Sequence, residues 1–401
     1  MTQTLTPMSP TYWSRRMGYK LYKANVYRSL ANFEEEATLY NGQIVDRPYR
    51  SDITVENYTK GTALTAQDLT ATSDQLTVNV IKALLMYIDD IDKIQNKYSA
   101  ANLWADEAAI RLANAIDARF FYEVINANNT VDDGSIGGTS GNGIVVSTGN
   151  IYQIFGVINA KLDAQNVPME DRFFAISPQF RNILWQAVQG KQTMLGDRTA
   201  ENGNIGEFGG LQLFLTNNLT GQATWTPAND PSDADTITIN GVTFTWKTTI
   251  GTTAGNILRT GTLSTDLAAL AAFINAGGVT TDAGVSNVTL SLANQRIVQT
   301  WTATATSTTI TVRAMGVSYM TVSGSDATDV WTPALQLQLL MAGRKKAIDC
   351  VVQQYPTVKM AETTSAGKIG MNIIPYTLFG VKTFNQGKNE IVQVKVRSDA
   401  Y

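Results

Sequence analysis

The stretch SAANLWADEAAIRLANAIDARFFYEVIN, residues 99–126, decides the fold. Ser99 is a good N-cap, because its hydroxyl can accept from an amide one turn later that has no partner within the helix. No Gly or Pro interrupts the stretch, and Ala, Leu, Arg and Glu are the strongest helix formers. Leu103, Ala108, Leu112, Ala115, Phe120 and Val124 recur at three- to five-residue steps and make a long apolar stripe. At roughly 1.5 Å per residue the helix would run about 40 Å, too long for one small core. The spacing therefore predicts a beam, with sheets on either side assembled from distant parts of the chain.

Composition narrows what those sheets can do. The chain has 401 residues, which suits two or three domains. Apolar content is 44 %, ordinary for a globular chain, and no apolar run approaches the ~18 residues of a membrane span. The opening MTQTLTPMSPTYW has no apolar core of a secretion signal, so synthesis in the cytosol is expected. The single cysteine, Cys350 in AIDCVVQ, reads as a small buried apolar residue. There is no histidine at all, which removes Ser-His-Asp and Cys-His catalysis and the commonest metal ligand. No cofactor or metal is expected, and a structural role is favoured over an enzyme. The net charge of −3 argues against a dedicated nucleic-acid binder.

Upstream of the beam, the first 33 residues carry Arg15, Arg16, Lys20, Lys23 and Arg28 and no acid, with Tyr and Trp interleaved. This reads as a basic arm that pairs with a neighbouring subunit or faces a polyanion such as packaged DNA. Residues 41–83 read as a long two-stranded excursion, with Ile53, Val55 and Asn57 on one face of the outgoing strand and Leu76, Val78 and Val80 on the return. A bare hairpin is marginal in water, so it needs another surface to lie on. MYIDDIDKIQNKY (86–98) lacks the calcium-loop pattern and reads as a structural turn. The glycine-rich VDDGSIGGTSGNG (131–143) lacks the G-K-[ST] of a phosphate cradle and reads as a flexible loop.

Downstream, helix and strand alternate. Ile154, Ile158 and Leu162 share one face of a helix over 151–165, RFFAI (172–176) is a buried strand, and Ser177 caps a helix that starts at Pro178. A glycine-punctuated strand comes next, over 206–219. Residues 222–332 differ: they are Thr-rich and hold seven acids against four bases, which accounts for the whole net charge. TITINGVTFTW (236–246) is a hairpin with an Asn-Gly turn, STDLAALAAFINA (264–276) a capped helix, and VTLSL, RIVQTWTAT and TTITVRAM supply further strands. This predicts a self-contained inserted domain whose two ends lie close together. Val392, Val394 and Val396 then mark a half-buried C-terminal strand, a candidate to pack beside the beam helix.

The order of arm, hairpin, acidic turn, long helix, α/β segment and C-terminal strands resembles the major capsid proteins of tailed bacteriophages. The resemblance is carried by YIDDIDKIQNKYSAANLWADEAAIRLANAIDARF, NVPMEDRFFAISPQFRNIL, IGEFGGLQLFLTNNL, KKAIDCVVQQYP and YTLFGVKTFNQGKNEIVQVKV. It implies an α+β, Hong Kong 97-type capsid fold with an inserted β-rich domain. The parts implied are an N-terminal arm (1–40), an extended loop (41–83), a peripheral domain (84–144 and 356–401) with spine helix 99–126, an axial domain (145–221 and 333–355) and the insert (222–332). It also implies hexamers and pentamers of the chain in an icosahedral shell around double-stranded DNA, touched non-specifically. The implied partners are a separate scaffolding protein, a portal protein and an optional decoration protein, with no membrane. The implied location is the virion, after assembly in host cytoplasm. Some members of that family crosslink a loop Lys to an Asn of another subunit; Lys60 is the one Lys within 41–81, and no motif around it supports that chemistry.

Three rivals remain at this level. An encapsulin-type nanocompartment would keep the fold and enclose a protein cargo. An α/β enzyme is opposed by the missing His, P-loop and dinucleotide fingerprint, and an adhesin by the missing export signal.

Overall fold

The computed structural model describes residues 23, 25–39, 42–50, 53–95, 100–189, 206–280, 286–325, 335–363 and 369–397. A single helical turn, α1 (Tyr27–Leu30), precedes a two-stranded antiparallel ribbon of β1 (Ile44–Arg50) and β2 (Ala71–Thr77). The ribbon is shorter than the sequence suggests. Ile53 and Val55 lie beyond its end with no strand partner, because the alternation that meets a buried surface is Val45, Arg47 and Tyr49 in β1. Leu76 and Val78 are buried on the return, and Val80 already belongs to β3 (Val80–Ala83) of another sheet. The acidic stretch 86–98 is more than a turn: it forms β4 (Met86–Asp89) and then helix α2 (Asp90–Gln95), whose first amides include Ile91 donating to Asp89 Oδ1 at 2.9 Å.

The beam is α-helical over Ala100–Tyr122 (α3) and tightens to a 3₁₀ turn over Glu123–Asn126, which makes the α-helical part about 35 Å long. Ser99 and the side chain of Leu103 lie outside the described residues. The buried face runs through Ala105, Ala108, Leu112, Ile116, Phe120 and Val124, whereas Ala115 is half-buried. Steps of three and four follow the 3.6-residue turn, so Ile116 takes the place read for Ala115. This face rests on a long antiparallel pair, β17 (Asp349–Thr363) and β18 (Gly370–Lys382), whose free edge also binds β3 and β4.

The second half of the fold is a nine-stranded sheet. After the spine helix the chain supplies its strands β5 (Asn129–Val131), β6 (Arg172–Ile176), β7 (Glu207–Phe208), β8 (Leu211–Leu215) and β9 (Thr220–Trp225), with helix α4 (Ile151–Ala164) before β6 and helix α5 (Pro178–Gln189) after it. Ile154, Ile158 and Leu162 of α4 are fully buried, β6 is buried throughout, and Ser177 Oγ accepts from the Phe180 amide at 3.2 Å to cap α5. Phe174 meets Phe155 and Phe180 edge to face where α4, β6 and α5 join, and the Phe155 and Phe180 rings are tilted to each other.

The insert holds β10 (Thr236–Ile239), β11 (Val242–Lys247), β12 (Asn256–Leu258), α6 (Leu263–Asn275), α7 (Leu292–Val298), β13 (Trp301–Ala305), β14 (Ile310–Ala314) and β15 (Val322–Gly324). The Asn240-Gly241 turn joins β10 to β11 with φ of 47° and 78°, as a two-residue hairpin of the primed type requires. Two stretches read as strands are not: Ser291 caps α7, so VTLSL ends at a helix N-terminus and the first half of RIVQTWTAT is helical. The insert has its own core around Phe244, Trp246, Phe273 and Val312, but it is not self-contained. Strands β13, β14 and β9 continue the nine-stranded sheet through β16 (Leu337–Arg344). Thr220 pairs with Leu339 and Gln222 with Leu337, so the two ends of the insert do meet.

Strand β16 carries neighbours on both edges. One edge binds β19 (Ile391–Arg397) along its length; the other binds β9 over Leu337–Leu339 and β6 over Met341–Arg344. Val392, Val394 and Val396 are buried as expected. Their strand lies between β16 and β5 in this sheet and meets the spine helix at its 3₁₀ end, Glu123–Asn126, while the α-helical part packs on β17 and β18. A short helix α8 (Asn385–Glu390) connects β18 to β19. Leu340→Ala, at a fully buried position of β16, is expected to cost about 2–5 kcal/mol, read as a lowered urea midpoint. Val55→Ala, on the exposed excursion, is expected to stay within about 0.5 kcal/mol of wild type.

Candidate subunit interface

The excursion beyond β1 and β2 leaves the body of the molecule carrying apolar side chains into water. Ile53 is 70 % exposed, Val55 98 % and Leu69 77 %, and Tyr58 and Leu64 are exposed as well. Five such side chains on one projecting loop exceed the scattered apolar residues of a normal surface. Beyond the ribbon the two limbs are tied by Gln67, which donates to the Thr54 carbonyl at 2.6 Å and accepts from the Thr54 amide at 3.1 Å. Gly61, at φ +88°, makes the tip turn that an L side chain would strain. Lys60 is exposed beside it. More exposed apolar residues lie on β3, the link from β3 to β4, α2 and α3: Ile81, Leu85, Ile91, Ile94 and Trp104.

The root of the excursion is stiff. Arg47 makes a two-pronged contact with Asp349, both bonds at 3.0 Å, and reaches Glu35 at 2.9 Å. Asn32 adds a bond to Asp349 at 2.9 Å, and the Arg47 guanidinium lies 4.0 Å from the centre of the Phe384 ring. Burial pushes the Asp349 carboxyl above its ordinary range, and the bonds from Arg47 and Asn32 only partly offset this. A groove of about 810 Å³ runs along the root, with Arg47, Tyr49, Ile53, Leu69, Lys346 and Asn385 among its walls.

The basic arm is tied to its own subunit at its described end. Arg15, Arg16 and Lys20 lie outside the described residues. The Lys23 ammonium donates to the carbonyls of Asn217 at 3.1 Å and Gly316 at 2.5 Å, at the junction of host and insert. Burial lowers its pKa, more than the charge of Asp117 raises it. Arg28 sits 5.1 Å from the Tyr355 ring centre and bonds the Tyr27 hydroxyl at 3.4 Å. Between them, the amides of Val26 and Tyr27 donate to Asp117 Oδ1 at 2.9 and 2.8 Å, and Asn218 Nδ2 donates to Oδ2 at 2.7 Å. Asp117 is fully buried on the spine helix, and burial raises its pKa despite these bonds. One carboxylate thus joins the arm, the spine helix and the insert junction. Asp117, Arg47 and Asp349 were not singled out from the sequence; an acid one place after Ile116 on the apolar stripe is the signal that marks Asp117.

The glycine-rich segment 131–143 is ordered rather than flexible. Asp132 caps the 3₁₀ turn Asp133–Ile136, accepting from the amides of Ser135 at 3.1 Å and Gly141 at 2.7 Å. Asp133 accepts from the Thr139 amide at 2.8 Å. Amides that could cradle a phosphate are therefore taken up inside the loop. Among the described residues no group of three or more acidic or Cys side chains could hold a metal ion, and no helix is long and apolar enough to cross a membrane.

No known family pattern and no characterised protein sequence matches the chain. Its structure does have likenesses. A chain from Mycobacterium phage Che8 superposes with a TM-score of 0.58 at 13 % identity, over 96 % of each chain. A chain of the capsid structure of cyanophage P-SCSP1u gives 0.54 at 13 % identity, over 99 % of this chain and 95 % of that one. A chain from the asymmetric unit of the bacteriophage PhiM1 mature capsid gives 0.51 at 10 % identity, over 97 % and 92 %. At the level of the overall fold, the chain broadly resembles the Hong Kong 97-type capsid fold that the sequence resemblance implied.

Arg47→Ala is expected to cost about 2–3 kcal/mol, because Asp349 stays buried with its charged partner gone; denaturant midpoints read this, and Arg47→Lys recovers only part. Asp132 supplies a pH test. Burial pushes its carboxyl up, but the bonds from Gly141 and Ser135 outweigh this and hold it below its ordinary range. A depressed value means stability that is present above the ordinary carboxylate range and lost as pH falls through the depressed one. The stability difference between wild type and Asp132→Ala, about 1 kcal/mol at neutral pH and read from denaturant midpoints, is expected to close only in strong acid.

Proposed function

We propose that the chain is the major capsid protein of a tailed bacteriophage, assembling as hexamers and pentamers into an icosahedral shell around double-stranded DNA. The observation that carries this reading is the stiffly rooted excursion with Val55 98 % exposed, on a fold shared with chains of phage capsid structures. A loop that spends apolar side chains on water gains stability once a second copy covers them, at about 25 cal/mol per Å² buried. Its ordering cost is reduced in advance by the bonds at its root.

In this reading residues 1–40 are the N-terminal arm, 41–83 the extended loop, and 84–144 with 356–401 the peripheral domain around the spine helix. Residues 145–221 with 333–355 are the axial domain, and 222–332 project as the insert. The role is structural rather than catalytic. The remaining basic residues of the arm, Arg15, Arg16 and Lys20, face DNA or a neighbouring subunit. A separate scaffolding protein, a portal protein and, on the insert, a decoration protein complete the partners, and the chain resides in the virion after assembly in host cytoplasm.

Electron microscopy of the protein, expressed alone and with its scaffolding partner, tests this. Closed shells or tubes with six-fold lattices are expected; a uniform monomer under both conditions sinks the reading, and shells filled with a protein cargo point to a nanocompartment instead. Val55→Asp together with Leu69→Asp is expected to leave the melting temperature of the monomer unchanged while abolishing assembly, since both side chains are exposed before it.

A further inference from the structure

Inside the insert, two carboxyl groups meet where neither has a donor for the other. Asp266, in the first turn of α6, is fully buried. Its Oδ1 accepts from the Thr260 amide at 2.8 Å and the Thr260 hydroxyl at 2.7 Å, while its Oδ2 is buried and receives no hydrogen bond. Asp230, in the loop that enters the insert from β9, faces it within hydrogen-bonding reach. Asp230 Oδ2 lies 2.9 Å from Arg259 Nη2, and Oδ1 is buried without a donor. Two ionised carboxylates accept only, so in this arrangement they repel and leave buried oxygens unsatisfied. One proton placed between them turns one group into a donor to the other. It also leaves a single carboxylate opposite Arg259, so the trio becomes neutral.

We propose that one proton, carried by Asp230 and donated to Asp266, joins these two side chains as a pH-sensitive clasp between the entry loop of the insert and helix α6. Burial, and then the charge of Asp266, hold the Asp230 carboxyl above its ordinary range, and Arg259 offsets this only in part. The other charged groups close by do not take the proton. Asp233 is held below its ordinary range by the Thr248 amide and hydroxyl, helped by Lys247 and Arg259, and so stays ionised. A raised carboxyl value means that the folded chain binds more protons than the unfolded one between the ordinary and raised values. The clasp is therefore closed in acid and opens as pH rises through the raised value. Opening loosens the entry loop and α6 while the β9–β16 junction keeps its backbone bonds. All three groups belong to one chain, so the clasp works with or without shell assembly.

Hydrogen exchange of the full chain, read by mass spectrometry and corrected for intrinsic rates, tests it from mildly acidic to mildly alkaline pH. Protection of residues 226–235 and 259–267 is expected to fall by about tenfold or more, the equivalent of one pKa unit, while α3 and α4 keep theirs. Asp266→Asn retains an acceptor for Thr260 and places an amide donor opposite Asp230, so it is expected to hold the acid level of protection throughout. Infrared spectroscopy reads the proton directly: in mild acid the wild type should show a carboxylic-acid carbonyl band in excess of that of Asp266→Asn, since the raised carboxyls of Asp117 and Asp349 contribute to both, and the excess should vanish on alkalinisation. Flat protection in the wild type, or no excess band, overturns the proposal. So does recovery of protection at alkaline pH by added calcium, which would assign the gap to a metal cation.

Discussion

Strand β16 is the constraint on which the rest of the structure depends. Residues Leu337–Gly343 are buried on both faces and bonded on both edges, to β19 along one side and to β9 and β6 end to end along the other. A strand so enclosed has no freedom of register: a slip of one residue would misalign three partners at once. The host and the insert therefore share one sheet although each has its own apolar core. Backbone pairing fixes how the insert stands on the host, and side-chain packing fixes each half separately.

Around that fixed sheet, buried polar groups sit where the arm and the excursion attach. Asp117 holds the root of the arm, and the Arg47–Asp349–Asn32 network holds the root of the excursion. Each of these carboxylates sits at a cost in desolvation that its hydrogen bonds must offset, and they are single-geometry contacts that apolar packing would not supply. Past the second anchor the excursion carries exposed apolar side chains with little backbone pairing. A rigid root with an apolar, unpaired tip suits a contact completed by another molecule.

At identities of 10–13 % the likeness to phage capsid chains lies in the arrangement of elements rather than in shared motifs. Burial constrains a position to be apolar and of suitable size, and many sequences meet that condition. The insert shows the same tolerance in another form, since it enters between β9 and β16 where two strands already run side by side.

Read alone, the sequence determined the periodic elements: the spine helix, the α4–β6–α5 run, the Asn240-Gly241 hairpin and the buried valines of β19. Each is marked locally, by a 3.6- or 2-residue repeat or by a residue that a particular turn demands. The exposed loop was legible too, as apolar alternation with nothing nearby to cover it. Only the tertiary structure decided which strands pair. Val392, Val394 and Val396 would bury equally well against the spine helix or in the sheet, and their choice of β16 depends on an edge offered by residues about fifty positions away. The buried polar ties were equally illegible. Asp117 meets Val26, Asn218 and Lys23 only after folding, and Asp230 meets Asp266 across a strand order that no local signal contains. Periodicity reports which face of an element seeks burial, and long-range pairing then decides what it is buried against.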